Sequence, residues 1–162
     1  MKKILCVITL MVLLITGCGK NGGNSNSNNQ VSFTISGAEI TPGEDFAEAY
    51  KTLGEPDKYT EAASCYFDGM DKVFTYSGFE VRTYPVGEKD YVQDLCISSD
   101  EYKTDKGITV GSTLEDVVNA YGKGYELNGK MYRYMADDNQ YVYFFIMNNA
   151  VKFFGYAKDV QN

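Results

Sequence analysis

The order of apolar and polar residues divides the chain into an apolar leader, a polar linker and a folded part. Residues 4–15 are almost entirely apolar and follow the basic pair Lys2-Lys3. This run is shorter than the about 20 residues that a transmembrane helix needs, and it is typical of a secretory signal peptide. Residues 19–30 contain only Gly, Lys, Asn, Ser and Gln, so they cannot bury a core and are predicted to be a flexible linker. The folded domain is therefore expected to span residues 31–162.

Two segments of the folded part, residues 40–54 and 108–122, repeat each other at a constant offset without a gap. In both copies apolar residues recur at the three- and four-residue spacing of an amphipathic helix. The apolar stripes comprise Phe46, Ala49, Tyr50 and Leu53 in the first copy, and Leu114, Val117, Val118 and Tyr121 in the second. Gly54 and Gly122 are predicted to end the two helices. Ser112 with Glu115 is predicted to form a capping box at the start of the second helix.

After each predicted helix the pattern changes to aromatic and β-branched residues, which predicts strands. The strands are predicted at 64–68, 72–76, 79–84 and 91–98 in the first copy, at 131–135, 140–148 and 150–156 in the second, and at 31–35 before them. Turn signals such as Ser77-Gly78 and Asn148-Asn149 join neighbours, so antiparallel meanders are expected. The predicted fold class is α+β, with two tandem repeats (about 31–98 and 99–162), each a short helical segment packed on a small antiparallel β-sheet.

The second copy resembles a signature of small exported modules. Its residues 108–122, Ile-Thr-Val-Gly-Ser-Thr-Leu-Glu-Asp-Val-Val-Asn-Ala-Tyr-Gly, are similar to a pattern found in the SmpA/OmlA outer-membrane lipoproteins and in the repeats of β-lactamase-inhibitor-protein-like domains. The tandem duplication over 31–162 is closer to the inhibitor-like arrangement. This resemblance implies a protein-binding or envelope-associated module and does not imply a reaction.

The end of the apolar leader resembles the lipobox of bacterial lipoproteins. Ile15-Thr16-Gly17-Cys18 presents an aliphatic residue, two small residues and a cysteine. The resemblance implies that residues 1–17 are the signal peptide and that Cys18 is diacylated on its sulfur before cleavage on its N-terminal side. Residues 18–30 would then comprise the lipidated Cys18 and the flexible linker. Acyl chains on Cys18 would hold the protein on the extracytoplasmic side of the cell membrane, or on an outer membrane in a Gram-negative bacterium. The alternative is an ordinary signal peptide that contains a cysteine, or an uncleaved anchor.

Composition and charge exclude several classes of partner and of catalytic site. The chain has 15 Lys and Arg against 22 Asp and Glu, a formal net charge of -7, and no histidine. The acidity argues against nucleic acid as a partner. The missing histidine excludes Ser-His and Cys-His nucleophiles and His-ligated metal sites, and no cofactor or metal is predicted. A binding protein is therefore favoured over an enzyme. The alternative is a cell-envelope hydrolase that uses carboxylates or a metal without histidine.

Apart from the proposed anchor Cys18, two cysteines remain after export, Cys65 and Cys96 of the folded part. An extracytoplasmic compartment favours a disulfide between them. In the predicted meander, however, they lie three strand spacings or about 14 Å apart, against a Cα–Cα limit of about 7 Å for a disulfide. The sequence therefore leaves two alternatives, a disulfide between Cys65 and Cys96 or two buried thiols. A catalytic thiol is disfavoured, because the chain has no histidine to activate it.

The excess of aromatic residues is the main indication of function. The chain has 14 Tyr and 9 Phe, and alternation along residues 140–146 places Tyr141, Tyr143 and Phe145 on one face of a strand. Rigid, amphipathic Tyr side chains are typical of protein interfaces. We expect a binding face for a protein or an envelope polymer, formed by Tyr132, Tyr134, Tyr141, Tyr143, Phe145 and Tyr156. The alternative is that these rings cover a second face of the core or fill the seam between the repeats.

Overall fold

The structure is a computed structural model that describes residues 31–160. The predicted signal peptide, Cys18 and the linker lie outside the described residues. Between residues 31 and 160 the chain forms two helices and ten strands. The helices are α1 (Ala47–Leu53) and α2 (Leu114–Tyr121), and the strands are β1 (Phe33–Ile35), β2 (Ala38–Ile40), β3 (Lys58–Ala63), β4 (Met70–Tyr76), β5 (Phe79–Val86), β6 (Lys89–Ile97), β7 (Glu126–Asn128), β8 (Met131–Met135), β9 (Gln140–Met147) and β10 (Ala150–Lys158).

One antiparallel sheet of eight strands forms the body of the described domain. Its strand order is β3-β4-β5-β6-β10-β9-β8-β7. Strands β3 to β6 form one meander and strands β7 to β10 form another, and the antiparallel pairing of β6 with β10 joins the two. The hairpin of β1 and β2 is a separate two-stranded sheet. The sheet therefore runs without interruption from β3 at one edge to β7 at the other.

The predicted fold class, α+β with two repeats each packed on its own small sheet, is wrong. The two meanders share one hydrogen-bonded sheet, and the protein is mostly β, with only two short helices among the described residues. A physical reason is that two separate sheets would leave the backbone N–H and C=O groups of β6 and β10 unpaired on one side each. Pairing these two strands satisfies both rows of groups and leaves two edge strands instead of four.

Both helices and the β1–β2 hairpin lie over the same face of this sheet, which we call the covered face. Phe46, directly before α1, contacts Phe74 of β4 with ring centroids 5.0 Å apart. Tyr121 of α2 contacts Phe144 of β9, also at 5.0 Å. Ile35 of the hairpin is buried in the same cluster. The hydrophobic core therefore lies between the covered face and the layer formed by the helices and the hairpin.

Most of the predicted elements are present. Both helices occur where the apolar stripes predicted them, and strand 131–135 has its predicted bounds. Gly54 and Gly122 follow the helices with φ of 78° and 90°, a region that glycine enters without steric cost. The strand predicted at 64–68 is wrong, because the chain instead forms β3 at Lys58–Ala63, and β2 and β7 were not predicted.

The capping box of α2 begins one residue later than predicted. The Thr113 hydroxyl accepts a hydrogen bond from the Asp116 N–H at 3.1 Å, and the Asp116 carboxylate accepts one from the Thr113 N–H at 2.8 Å. The Ser112 hydroxyl instead accepts from the Thr109 N–H at 3.1 Å, in the preceding turn. The predicted pairing of Ser112 with Glu115 is therefore wrong, although the type of cap is as predicted.

Candidate functional site

The second face of the eight-stranded sheet is not covered by either helix or by the hairpin, and we call it the open face. Alternation along β9 places Tyr141, Tyr143 and Phe145 on this face, because the residues between them are buried in the core on the other side. The predicted grouping of these three side chains on one face is confirmed.

The other three aromatic residues predicted for the binding face lie on the covered face. Residues directly opposite each other in neighbouring antiparallel strands point to the same side of a sheet. Val142, a core residue of β9, pairs with Tyr134 of β8 and with Tyr156 of β10. Tyr134 and Tyr156 are accordingly buried, and Tyr132 packs against the same core. These three side chains are therefore not on the open face. For them the alternative interpretation holds, namely that the rings belong to the core.

Tyr143 forms part of the floor of the open face. Its side chain is buried, and it crosses the neighbouring strand β10 at Gly155 to reach β6. The Tyr143 hydroxyl donates a hydrogen bond to the carboxylate of Asp94 at 2.7 Å. A Cβ atom on residue 155 would lie 2.5 Å from the Tyr143 hydroxyl oxygen and 2.2 Å from the Leu95 carbonyl oxygen. Only glycine at this position leaves room for the tyrosine.

Asp94 is the most deeply buried carboxylate on the open face. Arg82 of β5 approaches it at 3.4 Å and contacts Glu80 at 2.6 Å. Loss of solvent raises the pKa of Asp94 from 3.8 to about 6, although the Tyr143 hydrogen bond and the Arg82 charge both act to lower it. The open face therefore has a titratable group at its floor, held by one hydroxyl and one guanidinium.

The two cysteines of the folded part are free thiols in the structure. Cys96 is half-buried on the open face, next to Asp94 and Tyr143, and desolvation raises the pKa of its thiol to about 11. Cys96 is therefore protonated at neutral pH and is a poor nucleophile. Cys65 is exposed after the end of β3, and β4 and β5 lie between it and β6, so the structure forms no disulfide here. The expectation of two buried thiols holds only partly, because Cys65 is exposed.

A cluster of half-exposed rings lies beside this polar floor, and we call Tyr141, Phe145 and Phe153 the aromatic patch. Phe145 and Phe153 are direct cross-strand neighbours whose rings stack 4.7 Å apart at an angle of 3°. The Arg133 guanidinium lies 3.8 Å from the centre of the Tyr141 ring and forms an ion pair with Asp159. These contacts hold the rings in place and leave part of each accessible.

The patch and the polar floor meet in a cleft of about 810 Å³ on the open face, which Tyr66, Arg82, Asp94, Tyr141, Tyr143 and Phe153 help to line. Such a surface offers a few fixed hydrogen-bonding groups among large apolar contacts, which suits binding. Among residues 31–160 no three His, Cys, Asp or Glu side chains are grouped to hold a metal ion. The carboxylate- or metal-dependent hydrolase stays an untested prediction.

Several residues of this site were not predicted from the sequence, namely Glu80, Arg82, Asp94, Arg133, Phe153 and Gly155. Only Gly155 carried a local signal, because an isolated glycine within an aromatic strand indicates that another group approaches the backbone closely. The charged residues carried none, since Arg82 and Asp94 become neighbours only through the pairing of β5 with β6.

Comparisons with known proteins give one similar fold. No protein-family model matches the chain, and no curated protein matches it. Among solved structures, the chain is similar to an extracellular protein containing a SCP domain from Bacillus anthracis str. Ames, with a TM-score of 0.55 and 14% sequence identity. The match covers 78% of this chain and 48% of that chain, so this chain spans about half the length of its structural neighbour. At this identity the similarity concerns the fold alone.

A helix that crosses a membrane must be long and predominantly apolar. Between residues 31 and 160, neither helix has the length and apolar character needed to do so.

Proposed function

We propose that the protein is an exported lipoprotein that binds another protein or an envelope polymer through its open face. In this proposal acyl chains on Cys18 hold it at the extracytoplasmic surface of the cell membrane, or of an outer membrane. The observation that carries the binding function is the open face itself, an uncovered sheet surface on which the aromatic patch lies beside a cleft of about 810 Å³.

An uncovered face of an antiparallel sheet is ordinarily polar, because one side packs on the core and the other meets water. The open face departs from this pattern at the aromatic patch. Phe145 and Phe153 stack on each other without full burial, and Tyr141 lies half-exposed under a guanidinium. Half-exposed aromatic side chains and Arg are enriched at protein interfaces. This composition supports binding as the function of the open face.

The geometry of the open face also favours binding because its rings are fixed before a partner arrives. Tyr143 is held by Asp94, and Tyr141 is held by Arg133. Side chains that are already ordered lose less conformational entropy on association. The predicted linker between Cys18 and the folded domain would have an r.m.s. length of roughly 17–20 Å, which would let the domain search the space above the membrane.

Export is supported by the apolar leader and the lipobox-like residues that end at Cys18. The structural neighbour from Bacillus anthracis is described as extracellular, which agrees with an exported protein.

Substitution of the aromatic patch tests the binding function. The partner is first identified by crosslinking in intact cells, and its dissociation constant for the purified chain is then measured. We expect the double substitution Tyr141→Ala and Phe145→Ala to weaken binding by about tenfold or more, as loss of about 1.4 kcal/mol or more would do. Tyr143 is left unchanged, because it is buried and its removal would disturb the fold.

The matched control is Leu127→Ala, which removes an apolar side chain that is 57% exposed on the covered face and lines neither cleft. Its affinity for the partner is expected to match that of the wild type. Equal affinity of the patch variant and the wild type, with unchanged melting temperatures, would show that the partner binds elsewhere.

The anchor is tested separately with Cys18→Ala. We expect this variant to leave the membrane fraction and to lose labelling by an alkyne-tagged fatty acid, since acyl chains bind membranes through buried CH₂ groups at about 0.8 kcal/mol each. Replacement of Cys65 by Ala is the control, because it removes an exposed cysteine of the folded domain and keeps the proposed anchor. Fatty-acid labelling that persists in Cys18→Ala would rule out this residue as the acylated one.

A further inference from the structure

A second cleft lies on the covered face, beside α1, and is separate from the open face. Its volume is about 680 Å³, and its apolar lining includes four aromatic rings, those of Phe46, Tyr50, Tyr59 and Phe74. Phe46 and Phe74 belong to the buried core, whereas Tyr59 is 46% exposed. The cleft therefore leads from solvent to an aromatic floor.

Both tyrosines of the cleft pack against Phe74, which is buried. The Tyr59 ring centre lies 5.3 Å from that of Phe74 at an angle of 53°. The Tyr50 ring centre lies 5.6 Å from that of Phe74 at an angle of 60°. In such inclined pairs the edge of one ring lies against the face of another. The aromatic surface that solvent reaches therefore belongs mainly to Tyr50 and Tyr59, which are only partly buried.

Hydrogen bonds place carboxylates next to both tyrosines. The Tyr59 hydroxyl donates to Glu61, which raises the pKa of Tyr59 to about 12. A hydrogen bond from the Tyr50 hydroxyl to Glu55 raises the pKa of Tyr50 as well. Both rings are therefore neutral phenols at physiological pH, and each has a carboxylate at its outer end.

The charges around the cleft are predominantly negative. Lys72 and Lys89 are its two cations, and they are already paired with Asp90 and Asp45, each at 2.8 Å. Two further carboxylates of the lining, Glu55 and Glu88, form no ion pair among residues 31–160. Glu61 lies next to the lining, opposite Lys72 in the register of β3 and β4. With four carboxylates in the lining against two ammonium groups, the cleft combines aromatic side chains with net negative charge.

We propose that this cleft binds a quaternary ammonium head group. Aromatic faces attract such cations through their quadrupoles, and the attraction is strongest for weakly hydrated heads such as quaternary ammonium. Uncompensated carboxylates add attraction and repel anionic ligands. A neutral ligand of the same shape would gain the apolar contacts alone, and this difference makes the proposal testable.

The test uses the full chain, kept in a maltoside detergent that contains no choline, and follows binding by isothermal titration and by NMR of backbone amides. The probes are choline, N-acetyl-lysine methylamide and 3,3-dimethylbutan-1-ol, the uncharged carbon analogue of choline. We expect saturable binding of choline, with amide shifts around α1 and β4, and weaker binding of the lysine derivative, whose ammonium group is more strongly hydrated. The uncharged alcohol is expected to bind about tenfold more weakly, or not measurably.

Two substitutions locate the binding. Tyr59→Leu removes an aromatic face at an exposed position, and we expect it to weaken choline binding about tenfold while the melting temperature changes little. Glu61→Gln should weaken the binding of the cation several-fold and leave that of the alcohol unchanged. Tyr141→Leu on the open face is the control, and its choline affinity should equal that of the wild type.

The relative affinities of the two cations test this assignment. Tighter binding of choline supports a quaternary ammonium ligand, and tighter binding of the lysine derivative would overturn it. Equal affinities for choline and the uncharged alcohol, absence of saturable binding by either cation, or an unchanged affinity in Tyr59→Leu would each overturn the proposal. None of these results bears on the aromatic patch, so the two sites succeed or fail independently.

Discussion

At the scale of single residues, Asp94 is the group through which pH acts on the open face. Its carboxylate is surrounded by Glu80 and Arg82 on β5, Cys96 on β6 and Tyr143 on β9. Burial outweighs the favourable contacts and raises its pKa to about 6. A carboxyl group with a raised folded-state pKa stabilises the fold in its protonated form. Its contribution is complete below pH about 4 and is lost as the pH rises through about 6.

The corresponding prediction concerns Asp94→Asn, which keeps an oxygen for the Tyr143 hydroxyl and cannot ionise. Relative to this variant, the wild type should lose about 2–3 kcal/mol in free energy of unfolding between pH 4 and pH 7, since one pKa unit corresponds to about 1.4 kcal/mol. Urea unfolding at several pH values measures the difference. The exposed residue Asp100 provides the control, Asp100→Asn. If the difference in free energy of unfolding between wild type and Asp94→Asn does not change with pH, folding does not raise the pKa of Asp94.

At the scale of elements, strand β10 depends on one glycine. An alanine at position 155 would bring its Cβ to 2.2 Å from the Leu95 carbonyl oxygen on β6 and to 2.5 Å from the Tyr143 hydroxyl on β9. The first contact is with backbone, so it is relieved only if the two strands move apart. Gly155 therefore permits both the pairing of β10 with β6 and the passage of Tyr143 across β10.

We predict that Gly155→Ala lowers the free energy of unfolding by about 3 kcal/mol, in the upper range for overpacking. Gly124→Ala is the matched control, because a Cβ there meets no atom within 4 Å and its φ is not positive. The control should change stability by no more than about 0.5 kcal/mol. Urea unfolding curves of both variants provide the comparison, and similar stabilities would contradict the close approach at Gly155.

Local patterns predicted hairpins well and strand partners poorly. Alternation correctly placed Tyr141 and Tyr143 on one face of β9, because side-chain direction along a strand depends only on sequence spacing. Whether Tyr134 or Tyr156 joins them depends on the register between strands, which spacing within one strand does not give. Strand β3 was missed for another reason: every one of its residues is exposed at the sheet edge, so it has no apolar alternation.

At the scale of the whole molecule, the junction of β6 and β10 decides the fold class. The sequence repeat correctly indicated two helices, yet their positions are compatible with two sheets or with one. The junction pairs residues such as Cys96 and Gly155, which are far apart in the chain and have no turn between them to mark the contact. Open-face residues from both meanders, including Asp94 and Tyr143, become neighbours only through this junction.

The attachment of the N-terminal end of the described domain has a mechanical consequence. The buried amide of Gln140, at the start of β9, accepts a hydrogen bond from the Val31 N–H at 3.0 Å and donates one to the Pro42 carbonyl at 2.6 Å. Strand β9 lies inside the sheet, between β8 and β10, and is not an edge strand. A pull on the chain ahead of Val31, as a membrane tether under load would exert, therefore reaches an interior strand first. Strand β9 is held by rows of hydrogen bonds on both sides, to β8 and to β10, whereas a tether fixed to edge strand β3 or β7 would pull on a strand that is bonded on one side only.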